Sequence, residues 1–333
     1  MHETNIKTEQ LSRNPGELYQ IVETEMLAVR RRISSELSSD IKLVDTLCRY
    51  AAQYQGKMLR PAILLLAGKA CGDITPRHID FAVILELVHL ATLIHDDVLD
   101  EAKTRRQLAT VNQLWGNESS VLLGDLLLSQ AFDLCNRTGD LAAAGDLSHT
   151  AKTVCQGELC QCLNRKNWEL TEEQYLQIIE MKTASLYQLS CRLGAKFSNA
   201  SAQDQAVLEE FGRLFGCGFQ IADDLLDLVG REDQTGKTLG TDLAQGKPTL
   251  PIIHFCRQAD PAAKKEFFNL FRAEETPTKE ILSLLDRSGS LKYAWQRAGG
   301  FGDQAQTELL KLKAGPARDS LASIAEFVVK RSC

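Results

Sequence analysis

An all-α, single-domain protein is what this sequence predicts, and three observations carry that expectation. The eight prolines fall at 15, 61, 76, 248, 251, 261, 277 and 316, so residues 77–247 contain none. An interior proline removes a hydrogen bond and clashes with the preceding turn, so a stretch of that length without one is open to long helices. Its apolar residues recur at helical spacing, with no sustained alternation of the β kind. Helix-start signals recur as well: Pro61 ahead of Ala62-Ile63-Leu64-Leu65-Leu66-Ala67, and Thr171 with Gln174 three residues on, a capping box. At 333 residues, 44% hydrophobic and 25% charged, the chain can bury a substantial core.

In chain order, Glu17 to Leu37 predicts an amphipathic, charged helix within residues 16–38, and Ser39 to Tyr54 a second. Pro61 reads as the first residue of a helix that Gly72 stops. The next runs from about His78 to Asp100, the capping box opens one through Lys182 towards Arg192, and another spans Gln203 to Val229. A polar, glycine-containing loop follows from Gly230 to Lys247, and Pro248 with Pro251 marks the next element. After Pro261 the chain is again helical but more charged, with a mobile turn expected at Ala273–Thr278. No linker divides it, so residues 1–333 read as one domain, with 1–44 as an N-terminal helical segment.

Charge and cysteine usage exclude several classes. A net charge of −6 with pI near 5.6 argues against a nucleic-acid binder, which would carry a basic excess. Any anionic substrate must be held by local cations or bound metal. Cys155, Cys160 and Cys162 form the one cysteine cluster and match no zinc spacing; reduced thiols of a cytoplasmic protein fit better. Met1 to Gln10 lacks the apolar segment of a secretory signal, and no apolar run approaches a bilayer span, so the Asn-x-Ser/Thr matches at Asn117, Asn136 and Asn199 carry no weight. Gly230 to Thr238 looks like a phosphate-cradling P-loop, but has five residues between its glycines where four are needed, and follows a helix instead of a strand.

The chemistry concentrates in two stretches. Leu93 to Asp100 carries Asp96, Asp97 and Asp100, and Gln220 to Asp227 repeats the pattern with Asp223, Asp224 and Asp227. In a helix, residues i and i+4 share a face, so each stretch presents a paired-carboxylate edge. Like charges at that spacing cost about 0.2–0.5 kcal/mol, and more near apolar surroundings. One copy reads best as a solvated acidic face; two copies, 127 positions apart on apolar helices, call for a counter-charge. Oxygen-only ligands without His or Cys suit Mg²⁺, completed by waters and substrate phosphates. Cations lie within reach: Lys57 and Arg60 before the Pro61 helix, Arg105 and Arg106 after the first motif, Lys182 beside Thr183, and Lys237 and Lys247 around the glycine loop. Each alone has a dull account as a solvated helix end or a surface ion pair. Together they supply what a diphosphate requires: metal on one side and Lys/Arg donors on the other.

The segments Gly56-Lys57-Met58-Leu59-Arg60-Pro61, Leu93 to Asp100, Arg105-Arg106, Lys182-Thr183, Phe219 to Asp227 and Gly246-Lys247-Pro248-Thr249 occur in the order found in trans-isoprenyl (polyprenyl) diphosphate synthases. Over residues 45–330 the chain resembles that family. The resemblance implies a helical isoprenoid-synthase bundle around a deep central cavity, usually homodimeric, with two or three Mg²⁺ ions per site. Asp96, Asp100 and Asp223, supported by Asp97, Asp224 and Asp227, would hold the ions. Lys57, Arg60, His89 and Arg106 would hold isopentenyl diphosphate. Arg105, Lys182, Thr183, Gln220, Lys237 and Lys247 would hold the allylic diphosphate, farnesyl or geranylgeranyl diphosphate being expected. Two departures stand out: Gln55 and Met58 replace a glycine and an arginine common in the family, and Gln107 stands where glycine often follows the arginine pair.

Product length is read from the helix leading to Asp96. Thr92, Ala91 and Val88 lie four, five and eight residues back, where the family uses bulky aromatics to stop short products. The first aromatic upstream is Phe81, fifteen residues away, or about 22 Å at ~1.5 Å per residue. The expectation is a product of C30 or longer, C40 as the single choice, with peripheral membrane contact for its release. The alternatives are a geranylgeranyl- or farnesyl-type short-chain synthase, a terpene cyclase, which would not need Lys57, Arg60 and Arg106, and a non-catalytic synthase subunit, which would not keep all six aspartates.

Overall fold

The computed structural model describes residues 15–230, 240–272 and 277–330. Lys237, most of the P-loop-like stretch and most of the expected turn at 273–278 lie outside them. Apart from one short hairpin, every regular element described is helical. In order these are α1 (Glu23–Glu36), α2 (Lys42–Ala51), α3 (Leu59–Cys71), α4 (Pro76–Leu99), the strands β1 (Thr104–Arg105) and β2 (Leu108–Ala109), α5 (Val111–Arg137), α6 (Leu141–Leu163) and α7 (Glu172–Ile179). A π turn, Glu180–Ala184, joins α7 to α8 (Ser185–Phe197). Then come α9 (Ala202–Val229), α10 (Thr241–Ala244), α11 (Leu250–Gln258), α12 (Pro261–Phe271), α13 (Thr278–Arg287), α14 (Ser290–Leu309) and α15 (Pro316–Lys330).

Local chemistry explains the boundaries, including those the sequence misjudged. The expected helix over 16–38 is broken: Pro15–Val22 is 3-10, with Tyr19 off helical geometry at φ −127°. The break lies where the segment docks, because the Tyr19 hydroxyl donates to the Lys57 carbonyl at 2.9 Å. α3 starts two residues before Pro61, behind Met58 in the left-handed region (φ 48°). Pro61 is tolerated there because first-turn N–H groups have no intrahelical acceptor. Pro76 does open a helix, as Pro261 and Pro316 do; it stands behind Thr75, whose amide donates to His78 Nδ1 at 3.0 Å. The Thr171–Gln174 capping box is formed as expected, and Ser201 caps α9 by accepting from the Asp204 amide.

The hairpin β1–β2 was not expected. Its two-residue turn is Arg106-Gln107, both left-handed at φ 53° and 65°. A primed turn of this kind needs positive φ at both positions, which side chains other than glycine or asparagine rarely signal. Strands of two residues leave no periodicity to read.

α3 is apolar on every side and buried throughout from Pro61 to Gly68, between α4 and α8. α4 runs along α5, and α9 packs between α8 and α14. Each fully buried Leu or Ile of α3 contributes about 1.5–3 kcal/mol by leaving water. Two apolar clusters result, one around α3, α4, α5 and α8, the other around α9, α11, α13 and α14. α9, and α8 with the π turn before it, cross from one to the other: Ala184, Cys217 and Ile221 belong to the second, Leu186, Tyr187 and Phe215 to the first. That seam carries the polar residues described next. No described helix is long and apolar enough to cross a membrane.

Candidate active site

Both acidic motifs sit at the C-terminal ends of helices. Asp96 and Asp97 occupy the last turn of α4, with Asp100 as its C-cap; Asp223, Asp224 and Asp227 fall in the last two turns of α9. A helix C-terminus carries partial negative charge, so carboxylates there face their neighbours and the helix dipole together. The demand for counter-charge inferred from spacing alone is therefore greater in the fold.

The first motif meets that demand with cations from four other segments. Arg105, on β1, places Nε and Nη2 each 2.8 Å from Asp97 Oδ1. Lys182, on the π turn, lies 3.9 Å from Asp96 Oδ2, donates to Gln161 Oε1 at 2.7 Å and pairs closely with Glu158. Asp100 is held at both oxygens: Arg165 Nη2 donates to Oδ1 at 3.1 Å and Lys247 Nζ to Oδ2 at 2.9 Å. Gln245 Nε2 donates to the Asp100 carbonyl at 2.5 Å. Burial alone would push the Lys182 ammonium down, but Asp96 and Glu158 together hold it above its ordinary range. Burial likewise disfavours the charged Lys247, and Asp242 and Asp100 more than offset it.

The π turn gives Lys182 and Thr183 their placement. π bulges are uncommon and concentrate at functional sites. Two glycines let neighbouring helices close on this one: a Cβ on Gly157 would lie 2.6 Å from the Lys182 amide nitrogen, and one on Gly216 2.4 Å from Ala184 Cα. α6 and α9 thereby bring Glu158, Gln161 and Gln220 to the turn. Thr183 donates to Gln220 Oε1 at 2.7 Å, Gln220 Nε2 to Asp224 Oδ1 at 2.7 Å, and the Tyr175 hydroxyl to Asp224 Oδ2 at 2.6 Å. Asp224 is buried, and burial, with Asp242 and Asp223 nearby, pushes its carboxyl up to about 7 against these bonds. Asp227 accepts from the Thr241 hydroxyl at 2.8 Å and the Asp242 amide at 3.0 Å. The Asp242 carboxylate lies 3.0 Å from Lys247, so one buried ammonium ties the first motif to the loop that holds the second.

A separate cationic group flanks this centre. Arg60 stacks over the Tyr187 ring at 4.5 Å, and its Nε is buried without a hydrogen-bond partner. Arg106 lies against Gly56, where a Cβ would overlap its Nη1 at 1.6 Å; only glycine leaves it that space. Lys57 is exposed, its ammonium 5.4 Å from the Phe327 ring centroid. His89, on α4, is half-buried one turn beyond Glu86. Glu86 itself is buried with Oε2 unpartnered; burial raises its carboxyl while Arg60, Arg106 and Arg30 pull it back.

Of the residues read for product length, Val88 and Ala91 are buried, and Thr92 is partly exposed with its hydroxyl donating to the His89 carbonyl at 2.8 Å. Phe81, two turns before Val88, is fully buried and packs on Phe197 at 4.8 Å. Sequence reasoning did not single out Glu86, Glu158, Gln161, Arg165, Tyr175 or Asp242. Glu158 and Gln161 lie on α6 among other polar residues such as His149, Lys152 and Gln156, so nothing local marked them, and all six depend on contacts far along the chain.

No three His, Cys, Asp or Glu side chains among the described residues gather into a ready-made metal cage. The donor set still fits a hard divalent ion: carboxylate oxygens at two helix ends, without sulfur or imidazole among the six. Lysine and arginine nitrogens lie against the carboxylates of the first motif.

Comparison with known proteins agrees with this arrangement. The polyprenyl synthetase family model matches residues 41–287. The chain is 32% identical to an octaprenyl diphosphate synthase of Escherichia coli over 96% of its own length and 99% of that protein's. It is 34% identical to a geranylgeranyl diphosphate synthase of Methanosarcina mazei over 85% of its length and 88% of that protein's. A crystal structure of a polyprenyl synthase from Caulobacter crescentus, complexed with calcium and isoprenyl diphosphate, superposes with a TM-score of 0.91 at 30% identity, covering 96% of this chain and 98% of that one.

Proposed function

This chain belongs to the polyprenyl synthetase family and is a prenyltransferase, and from that premise we propose that it extends an allylic diphosphate with successive isopentenyl diphosphates to an all-trans polyprenyl diphosphate of C30 or longer, C40 being the expected length. The observation that carries this is a second cationic group, separate from the one gathered at the acidic helix ends. Lys182, Lys247 and Arg105 lie at the acidic motifs, while Arg60 and Arg106 stand apart around Glu86. One diphosphate needs one such group, and two substrates need both. A terpene cyclase would leave the second without work.

In this reading Asp96, Asp100 and Asp223, with Asp97, Asp224 and Asp227, hold two or three Mg²⁺ ions, whose bound role is to neutralise the departing diphosphate. Lys182, Lys247 and Arg105, with Lys237, bind that diphosphate from the protein side; Lys57, Arg60, Arg106 and His89 bind isopentenyl diphosphate. The allylic C1–O bond breaks, the isopentenyl double bond attacks C1 to form the new C–C bond, and the displaced diphosphate takes the proton lost. The Thr183 hydroxyl proton is committed to Gln220, which leaves its oxygen lone pairs for the developing allylic cation. No nucleophilic side chain is required.

A homodimer accords with α5, where Val121, Leu122 and Leu126 are exposed apolar residues on one face, with Leu114 and Trp115 exposed ahead of the kink at Gly116. The working place is the cytoplasm, with peripheral membrane contact to release an apolar product. The long product is favoured over a geranylgeranyl-type one because the octaprenyl-synthase relative matches end to end and because Thr92, Ala91 and Val88 are small. The test is to incubate the purified protein with Mg²⁺, farnesyl diphosphate and labelled isopentenyl diphosphate and size the products. C40 material is expected; C20 would mean a short-chain synthase, and hydrocarbon formed without isopentenyl diphosphate a cyclase. No product would indicate a non-catalytic subunit. Thr92→Phe or Ala91→Phe should shorten the product, and unchanged length would remove these residues as determinants.

A further inference from the structure

Arg165 belongs to none of the segments that carry the family resemblance, yet it holds a carboxylate of the first acidic motif. It lies in the connection between α6 and α7 and donates from Nη2 to Asp100 Oδ1 at 3.1 Å and to the Leu99 carbonyl at 3.1 Å. The connection is anchored on both sides of it. The Lys166 amide donates to the Gly246 carbonyl at 2.7 Å, and the Trp168 ring packs edge-on to Phe271 at 4.7 Å. Gly246 in turn adjoins Gln245 and Lys247, which grip the Asp100 carbonyl and Oδ2. Two loops joined to each other thus hold Asp100 at both carboxylate oxygens. Lys247, nearly buried, has Asp242 as a second partner. Among the described residues Arg165 has no other carboxylate within ion-pair distance, and 31% of its side chain is exposed, so it can leave towards solvent.

We propose that Arg165 competes with the metal for Asp100 and sets the divalent-ion concentration at which the first motif fills. A carboxylate oxygen already accepting from a guanidinium offers less charge to an incoming ion, and two positive groups cannot share it at contact distance. Arg165 therefore withdraws when the ion arrives and does not ligate diphosphate. This rests on Asp100 being a metal ligand, so the experiment tests both points separately.

The probe is Mn²⁺ without substrate at low ionic strength, with free Mn²⁺ read by electron paramagnetic resonance for the unaltered protein, Arg165→Ala, Arg165→Lys and Asp100→Asn. Arg165→Ala should bind Mn²⁺ roughly three- to tenfold more tightly, the scale of one partly screened ion pair. Arg165→Lys should stay near the unaltered protein, and the gain should shrink as salt rises. Equal or weaker Mn²⁺ binding by Arg165→Ala, with Asp100→Asn impaired, would overturn the competition alone. Binding by Asp100→Asn equal to the unaltered protein would overturn the ligand role of Asp100, and the competition with it.

Discussion

Asp97 and Asp224 hold the same place in two motifs of identical spacing, both near the C-terminal end of a long helix, both buried. Their partners differ in kind. Asp97 meets a guanidinium from a hairpin eight residues on, and its helix end collects Lys182, Arg165 and Lys247 besides. Asp224 meets a phenol and a primary amide, and its carboxyl is pushed up to about 7. The lesson is that a repeated acidic spacing states a need for compensation without saying how it is met. The middle carboxylate of one motif is met by opposite charge, that of the other by neutral donors.

The largest effect should come from the outer aspartates, which the two ends have in common. Asp96→Asn and Asp223→Asn should each lower kcat by about 10²–10³-fold, the size of losing one preorganised electrostatic contact. Chelation should abolish turnover and Mg²⁺ should restore it; turnover surviving both would break the common role. Next, the middle positions should separate the motifs. Without metal, Asp97→Asn strands the nearly buried Arg105 and should cost about 2–4 kcal/mol by denaturant unfolding. Asp224→Asn keeps an acceptor for Tyr175 but sets its amide nitrogen against Gln220 Nε2, and should cost about 1 kcal/mol, less than stranding a guanidinium. Equal losses would mean the two ends are balanced alike.

The smallest effect is in pH dependence. Folded Asp224 keeps its proton to about 7, whereas an unfolded aspartate releases it near 3.9. Between those values the folded state binds more protons, so this group's contribution to stability is present at acid pH and lost as pH rises towards 7. In metal-free protein Asp224→Asn should flatten that decline. An unchanged pH profile would show that Asp224 is charged in the fold.

Much of this was open to reading in one dimension. Proline-free length with apolar residues at helical spacing gave the bundle, because helix formation depends on neighbours three and four residues away. The twin aspartates and the Lys182-Thr183 pair were legible because their residues adjoin. The hairpin escaped because two-residue strands have no period, and the start of α3 was misplaced because a proline is equally at ease anywhere in a first turn. Glu86 looked like one more helix residue until the fold set Arg60 and Arg106 against it.

By itself the sequence determined which side chains would need compensation: six carboxylates at helical spacing, with enough lysine and arginine nearby to answer them. Only the tertiary structure decided which cation answers which carboxylate. Arg165 and Lys247 reach Asp100 across 65 and 147 residues, and a π turn between Gly157 and Gly216 aims Lys182. The physical reason is range. Helix propensity and periodicity act over a few residues, whereas an ion pair is chosen by whatever packing brings within about 4 Å.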